Sequence, residues 1–269
     1  MIKKIVHLGD LHFRPYHRHG EYKEQCLKLI DDLTDLREEY GYEEVRIVIA
    51  GDIVHQKTNV SNELFLILLW FLGKLDDIFP VILLPGNHDF LENNKERVDS
   101  ITPIVEALSS DNIVYLKKSK CYVDENIVWC PYSLFDDNDR PDIDDFKETH
   151  GDKVFIGIFH GAIMDSVTDV GYRIEHGVDM QIFDGLDICI CADIHRRQKL
   201  MYGNTQIVYC GSMIQQNYGE SIRDHGYLIW DVESLTYDAI NLESDYGLYS
   251  FKISSLDDVE NGKEILTNG

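Results

Sequence analysis

Five short clusters of polar residues interrupt the apolar runs of this 269-residue sequence. They combine carboxylates, imidazoles and one amide, the groups that hold divalent cations such as Mn²⁺ or Mg²⁺ in proteins. Each cluster directly follows an apolar run of strand length, which predicts that its side chains lie where a strand ends. The clusters are Gly9-Asp10-Leu11-His12, Gly51-Asp52-Ile53-Val54-His55, Gly86-Asn87-His88-Asp89, His160-Gly161 and Asp193-Ile194-His195.

The spacing within the clusters favours a metal centre. Asp10 and His12 are two residues apart, so a chain still extended past its strand would point both side chains to the same side. The neighbouring glycines would let the backbone approach a bound ion closely. The Asn87-His88 pair in a glycine turn is the most specific signal, because an apolar strand has little structural reason to end in that pair.

The elements that carry these clusters predict an α/β fold. Apolar strand-length runs alternate with amphipathic helical segments in the first half of the chain, which requires a largely parallel sheet covered by helices. The second half is richer in strands. We therefore expect a two-layered mixed β-sheet sandwich flanked by helices, with the polar clusters together at the carboxyl ends of the strands.

Composition restricts the partners of this protein. The chain is 44% hydrophobic, which excludes a disordered or fibrous protein. It has 48 acidic and 25 basic side chains and a formal charge of −23, which opposes unaided binding to nucleic acid. A polyanionic substrate would need bound metal, a local basic patch or another subunit. The six cysteines form no Cys-x-x-Cys pair, so we interpret them as reduced thiols in the core.

The sequence contains no signal for a membrane. Its longest apolar run, Leu64–Leu72, has nine residues, whereas a spanning helix needs about twenty. The first residues lead directly into a strand-like segment without the apolar region of a signal peptide. These features predict a cytoplasmic protein with no membrane contact.

The order of the clusters resembles the calcineurin-like metallophosphoesterase superfamily. Its signature runs Asp-x-His, Gly-Asp, Gly-Asn-His-Asp/Glu, His and Gly-His-x-His, and the resemblance spans roughly residues 3 to 231. Closer features are similar to the SbcD branch, the DNA double-strand-break repair nucleases of phages and prokaryotes. These features are His55, the stretch Ile194-His195-Arg196-Arg197-Gln198 and the segment from Gly211 to Glu220.

The resemblance implies a centre of two divalent metal ions, with Mn²⁺ favoured and Mg²⁺ also suitable. A bridging carboxylate can hold two such ions about 3.5 to 4 Å apart, where a shared water loses a proton easily and attacks phosphorus. The implied ligands are Asp10, His12 and His195 for one ion, Asn87, His160 and Asp193 for the other, and Asp52 between them.

Other residues receive roles around this centre. His88 is the candidate proton donor to the leaving group, or else orients the phosphate, and His55 is an accessory catalytic residue on the same rim. Arg14, Arg196 and Arg197 are candidate contacts to substrate phosphate. For Arg14, an ordinary surface loop is the alternative interpretation.

One position departs from the family pattern. Asp193 stands where the superfamily has the first histidine of Gly-His-x-His. A carboxylate there makes the site less positive and favours Mn²⁺ or Mg²⁺ over Zn²⁺. The alternative is that Asp193 only caps a turn, with the second ion weakly held or absent.

The SbcD resemblance implies a nuclease with 3′-to-5′ exonuclease activity on duplex ends and endonuclease activity on single strands. Its implied partners are DNA and an SbcC-type SMC-like ATPase subunit. The implied location is the cytoplasm, which is the host's cytoplasm if a phage encodes the protein. It also implies a homodimer through helices at Asn62–Lys74 and Ile101–Leu108, although core packing alone would explain these helices. We expect a nuclease domain at 1–235 and a C-terminal extension at 236–269, the start of a truncated capping domain.

Two other functions fit the same motifs. One is a phosphodiesterase or phosphatase acting on a nucleotide or another small phosphoester. The other is a catalytically weak metal-binding subunit that serves assembly. The acidic charge and the absence of a complete cap favour these alternatives, whereas His55 and the Gly211 to Glu220 segment favour the nuclease.

Overall fold

The computed structural model describes residues 1–136, 139–250 and 252–268, and within them two six-stranded β-sheets. The first sheet contains β1 (Lys4–Leu8), β2 (Val45–Ile49), β3 (Val81–Leu83), β4 (Ile113–Tyr115), β11 (Gly226–Asp231) and β12 (Thr236–Asn241). The second contains β5 (Tyr122–Asp124), β6 (Ile127–Tyr132), β7 (Val154–His160), β8 (Ile188–Ala192), β9 (Gln198–Tyr202) and β10 (Thr205–Tyr209). The described helices are α1 (His19–Glu39), α2 (Asn62–Ile78), α3 (Thr102–Leu108), α4 (Ile143–His150) and α5 (Leu256–Asn268).

Both sheets are mixed. The first has the order β12-β11-β1-β2-β3-β4, in which β1 to β4 are parallel and β11 and β12 are antiparallel. The second has the order β5-β6-β7-β8-β10-β9, with antiparallel strands at its two edges. This arrangement confirms the predicted two-layered mixed sandwich. The predicted domain boundary at residue 235 lies in the turn between β11 and β12, so the first sheet extends to Asn241.

Three apolar clusters build a four-layered α/β/β/α domain. The cluster between the two sheets includes the fully buried Trp129 and Trp230, one from each sheet. A second cluster packs α1, α2 and α3 against the outer face of the first sheet. A third packs α4 against the outer face of the second sheet. Both outer faces therefore have helical cover.

The helices of the first sheet follow from their apolar periodicity. In α1, Tyr22, Cys26, Leu29 and Leu33 recur at helical spacing and are fully buried. Helix α2 begins at a Ser61 cap, whose hydroxyl accepts a hydrogen bond from the Leu64 amide at 3.2 Å.

Helix α2 buries only one face within the described chain. Leu68 is completely buried, whereas Leu66 is 65% exposed. Phe65, Ile67, Leu69 and Trp70 of α2 are partly buried against the same core, so the apolar side chain of α2 that packing leaves exposed is Leu66. None of the described helices combines the length and apolarity that crossing a lipid bilayer demands.

His7 connects the two sheets near the end of β1. Its Nε2–H donates to the Cys191 carbonyl of β8 at 3.1 Å, and Trp230 Nε1 lies 3.4 Å from its Nδ1. Burial lowers the pKa of His7 to about 3, so the ring is neutral. This neutral link holds β1 and β8 together where both strands lead into the polar clusters.

Replacement of Leu68 by Ala should destabilise the domain. The substitution empties a fully buried site under the first sheet, which typically costs about 2–5 kcal/mol. Leu27→Ala in α1 is the matched control, because Leu27 is 43% exposed and should change stability by no more than about 0.5 kcal/mol. Urea unfolding followed by circular dichroism measures both. Equal stability of the two variants would contradict the packing of α2.

Candidate metal centre

The polar clusters meet at one edge of the sandwich. They follow the carboxyl ends of β1, β2 and β3 in the first sheet and of β7 and β8 in the second. The first two clusters are joined through their backbones, since the Asp10 amide donates to the Gly51 carbonyl at 3.1 Å and the His12 amide to the Asp52 carbonyl at 2.9 Å. Parallel pairing of the strands thus brings together residues that are distant in sequence.

Four of the predicted ligands have left-handed backbone conformations. Asp10, His12, Asp52 and Asp193 have φ values of 50°, 49°, 54° and 98°. The expectation that an extended chain orients Asp10 and His12 was wrong, because β1 ends at Leu8 and the following backbone turns. Such conformations cost roughly 1–3 kcal/mol each and persist where surrounding contacts impose them, as they do at functional sites.

Two glycines allow the ligands to approach closely. A Cβ atom on Gly51, whose φ is +101°, would lie 2.4 Å from His160 Nδ1. A Cβ atom on Gly86 would lie 2.2 Å from both the amide nitrogen and Oδ1 of Asp52. Any side chain at either position would displace a predicted ligand.

The first ligand group consists of Asp10, His12 and His195, whose ligand atoms all lie within 4.8 Å of one another. The Nε2 atoms of His12 and His195 are 3.0 Å apart. The Asp193 amide donates to both carboxylate oxygens of Asp10 at 3.0 Å, which fixes that carboxylate. These are the residues that the sequence predicted for one ion.

The second group surrounds His160. Its Nε2 lies 3.0 Å from Asn87 Oδ1 and 3.8 Å from Asp193 Oδ1. Asp52 lies between the two groups, with Oδ1 3.3 Å from His160 Nε2 and Oδ2 3.5 Å from His12 Nε2. Asp52 is therefore placed where a bridging ligand would have to lie, and its bridging role stays a prediction.

The atoms that converge here are acceptors. His160 Nδ1–H donates to the Ala50 carbonyl at 2.8 Å, and His195 Nδ1–H donates to the Glu220 carboxylate at 2.7 Å. Because those partners can only accept, each ring directs the lone pair of Nε2 towards other acceptors. Acceptor atoms this close together require positive charge between them, which either protons or metal ions would supply.

The pKa values show the same demand for positive charge. Burial would lower the pKa of His160, but the charges of Asp52, Asp10 and Asp193 raise it well above its ordinary value. Burial opposes protonation of His195 too, yet its hydrogen bond to Glu220 and nearby carboxylates raise its pKa to about 9. Burial also raises the pKa of Asp10 to about 7. The residues therefore fit a pair of divalent ions, which would replace these protons.

His55 and His88 lie on the rim of the site. The rings of His55 and His88 stack with centroids 5.4 Å apart, and His88 Nδ1–H donates to the His55 carbonyl at 2.7 Å. His88 therefore keeps its Nε2 for another partner. Burial and the charge of Arg14 lower the pKa of His55 to about 4, so His55 is neutral near pH 7. Its Nδ1 lies 3.4 Å from His12 Nδ1.

The three predicted phosphate contacts have different surroundings. Arg14 is half-buried and close enough to the rim for its charge to act on His55. Arg196 is exposed. Arg197 donates to the Cys210 carbonyl at 3.2 Å and to Asn241 Oδ1 at 2.8 Å, so these structural contacts engage its guanidinium.

Two carboxylates at the site were not among the predicted site residues. Asp89 is fully buried and accepts hydrogen bonds from the amides of Val54 at 2.9 Å and Gly86 at 2.8 Å, which joins the second and third clusters. Burial and the charge of Asp52 raise its pKa to about 8. Glu220 is the second of these carboxylates, and it accepts the hydrogen bond from His195. Both end stretches that the sequence had singled out, but sequence spacing does not reveal their contacts.

Two mixed sheets thus carry carboxylate, imidazole and amide groups at one edge, and these groups fit a centre of two divalent ions. The family model for calcineurin-like phosphoesterases matches residues 3–197. The chain belongs to this family, which uses a dinuclear divalent metal centre.

Similar proteins include a viral protein and two solved structures. "Uncharacterized protein R555" of Acanthamoeba polyphaga mimivirus is 39% identical over 262 residues, which cover 94% of this chain and 19% of the relative. The chain thus spans about a fifth of the length of that relative. A novel archaeal phosphodiesterase has a TM-score of 0.43 at 12% identity, covering 89% of this chain and 99% of its own. The phosphopantetheinyl hydrolase PptH of Mycobacterium tuberculosis has a TM-score of 0.44 at 12% identity, covering 78% and 89%.

Gly86→Ala should abolish paired metal binding. The added methyl group would overlap the Asp52 backbone and carboxylate, which lie between the two ligand groups. Isothermal titration of metal-free protein with Mn²⁺ measures the stoichiometry, which should fall from two ions to one or none. Gly20→Ala is the control, since a Cβ atom there meets no atom within 4 Å. Two ions bound by Gly86→Ala at unchanged affinity would contradict the bridging placement of Asp52.

Asp193→Ala should weaken binding of the ion beside His160. The carboxylate is one of the oxygens that surround His160 Nε2, so its removal leaves fewer ligands for that ion. Asp152→Ala, in an exposed turn, is the control. Equilibrium dialysis with Mn²⁺ should show one weakened site in Asp193→Ala. If Asp193→Ala retains two ions per chain and unchanged turnover, Asp193 is not a ligand.

Proposed function

We propose that this chain is a metal-dependent DNA nuclease of SbcD type, which hydrolyses phosphodiesters during DNA end processing, repair or recombination. The observation that carries this proposal is a pair of recesses at the metal centre. One, of about 160 Å³, adjoins Asn87 and His160, and the other, of about 230 Å³, adjoins His195. Asp193 lines both. A diester has organic groups on both sides of phosphorus and would fill both recesses, whereas a monoester needs only one.

Residues that resemble the nuclease branch support DNA as the substrate. Within the segment from Gly211 to Glu220, Glu220 contacts the ligand His195, and the Gln216 carbonyl accepts a hydrogen bond from Arg14 at 3.2 Å. His55, another feature of that branch, supports His88 from the same rim. The features that separate this branch from other phosphoesterases thus lie beside the metal ligands.

The chemistry follows from the arrangement of these side chains. Bound divalent ions, Mn²⁺ or Mg²⁺, would supply positive charge at the phosphate and lower the pKa of a nucleophilic water. Asp52 holds the two ligand groups together. His88, whose Nδ1–H is engaged by a carbonyl, offers Nε2 to protonate the leaving oxygen or to orient the phosphate. Arg14 adds positive charge beside His55, at the rim of the site in a chain whose formal charge is −23.

The proposed activities are 3′-to-5′ exonuclease activity on duplex ends and endonuclease activity on single strands, in the cytoplasm. An SbcC-type ATPase subunit is the proposed partner. It would supply the DNA binding that an acidic protein lacks by itself. A homodimer would use α2 and α3. The exposed side of α2, where Leu66 is 65% exposed, supports that contact.

A substrate panel with Mn²⁺ tests the proposal. Purified chain should degrade end-labelled duplex DNA from its 3′ ends, and His88→Ala should reduce the rate by about 10²- to 10⁴-fold, the usual contribution of a positioned proton donor. His176→Ala, which replaces an exposed histidine, is the control and should retain full activity.

The other substrates decide between functions. Activity confined to cyclic nucleotides or an aryl phosphodiester would assign a small-molecule phosphodiesterase instead. No activity on any of these substrates, with Mn²⁺ bound, would assign a metal-binding assembly subunit.

A further inference from the structure

We propose that Glu220 is a positioning residue, which fixes the orientation and tautomer of His195 at the metal centre. Glu220 is 7% exposed and lies in the loop between β10 and β11, 25 residues after His195. Its Oε1 accepts the His195 Nδ1–H at 2.7 Å. The proposal rests on the metal centre and is independent of whether the substrate is DNA.

The Glu220 carboxylate is itself immobilised. Oε1 also accepts from the side-chain amide of Asn217 at 2.5 Å, and Oε2 accepts from the Gln216 amide at 2.6 Å. Three donors around one buried carboxylate leave it a single orientation. The Nδ1–H of His195 therefore meets an acceptor of fixed position.

The loop that carries Glu220 is attached to the first metal cluster. The Gln215 side chain donates to the Glu220 carbonyl at 3.0 Å, and Arg18 donates to the Gln215 carbonyl at 2.7 Å. The Gln216 side chain donates at 3.3 Å to the carbonyl of Leu11, which stands between two predicted ligands. Glu220 thus belongs to the same framework as the metal ligands.

The base of the loop is closed by a second polar contact. The Ser212 hydroxyl donates to His225 Nδ1 at 3.1 Å, and His225 Nε2–H donates to the Ser221 carbonyl at 2.6 Å. These bonds hold the residues on both sides of Glu220. The carboxylate is therefore supported from both ends of its loop.

The consequence for metal binding comes from the tautomer of His195. A carboxylate accepts only, so Nδ1 keeps its proton, and Nε2, which faces Asp10 and His12, is the nitrogen left to bind an ion. Carboxylate partners of this kind also raise the basicity of a ligating imidazole, and their loss typically lowers metal affinity by about 10- to 100-fold. Without Glu220, the His195 ring could rotate and could carry its proton on either nitrogen.

Mn²⁺ titration of the metal-free full chain tests this role by calorimetry. Wild type should bind two ions. Glu220→Gln should weaken one of the two sites by about 10- to 100-fold, because an amide directs an NH₂ group at one of the donors that the carboxylate accepted. Glu233→Gln, at an exposed turn, should bind as wild type does.

Two further variants separate positioning from support of the loop. Asn217→Ala removes one of the three bonds to Glu220 but keeps the bond between Glu220 and His195, so it should lower Mn²⁺ affinity less than Glu220→Gln does. In a His195→Ala background, Glu220→Gln should cause no additional loss of affinity, because its effect passes through His195. Unchanged affinities in Glu220→Gln, or an equal loss in Asn217→Ala, would overturn the proposal. If the wild-type chain binds no Mn²⁺, the proposed metal centre is refuted. The test measures metal binding alone, so its outcome does not depend on nuclease activity.

Discussion

The structure depends on one electrostatic constraint, the crowding of acceptor atoms where the two sheets meet. Asp52 stands between His12 and His160, and all three are buried with few donors to satisfy them. Buried acceptors in such proximity repel one another unless positive charge is shared among them. The protein's own residues therefore favour a bound cation or proton at this position, as the raised pKa values of His160 and His195 indicate.

The fold resists that repulsion through its backbone. Left-handed conformations at Asp10, Asp52 and Asp193 are unfavourable on their own and are held by hydrogen bonds between loops of different strands. Asp89 performs the same task with a side chain, since it joins the loops after β2 and β3. Rigidity of this kind orients the ligands before any ion binds, which is what a metal centre of fixed geometry requires.

The acidic surface makes the local charge of the ligand cluster decisive for binding an anionic substrate. With a formal charge of −23, the protein repels polyanions over most of its surface, so attraction of a phosphoester must come from the ligand cluster and nearby basic groups. Both Arg14 and Arg197 donate hydrogen bonds to the protein, Arg14 to Gln216 and Arg197 to Cys210 and Asn241, but the charge of Arg14 acts on the rim residue His55. Local charge at the site, rather than overall charge, decides what can approach.

The sequence by itself determined the fold class and the meeting of the ligand clusters, because strand-length apolar runs and short polar motifs are local features and parallel pairing brings their ends together. It did not determine how the backbone turns at Asp10 and His12, the contacts of Arg197, or the exposed side of α2. Only the tertiary structure decided that Glu220 supports His195, since hydrogen bonds between distant segments depend on the packing of whole sheets. Local pattern therefore predicted which polar side chains meet at this edge, and long-range contacts decided how they are held.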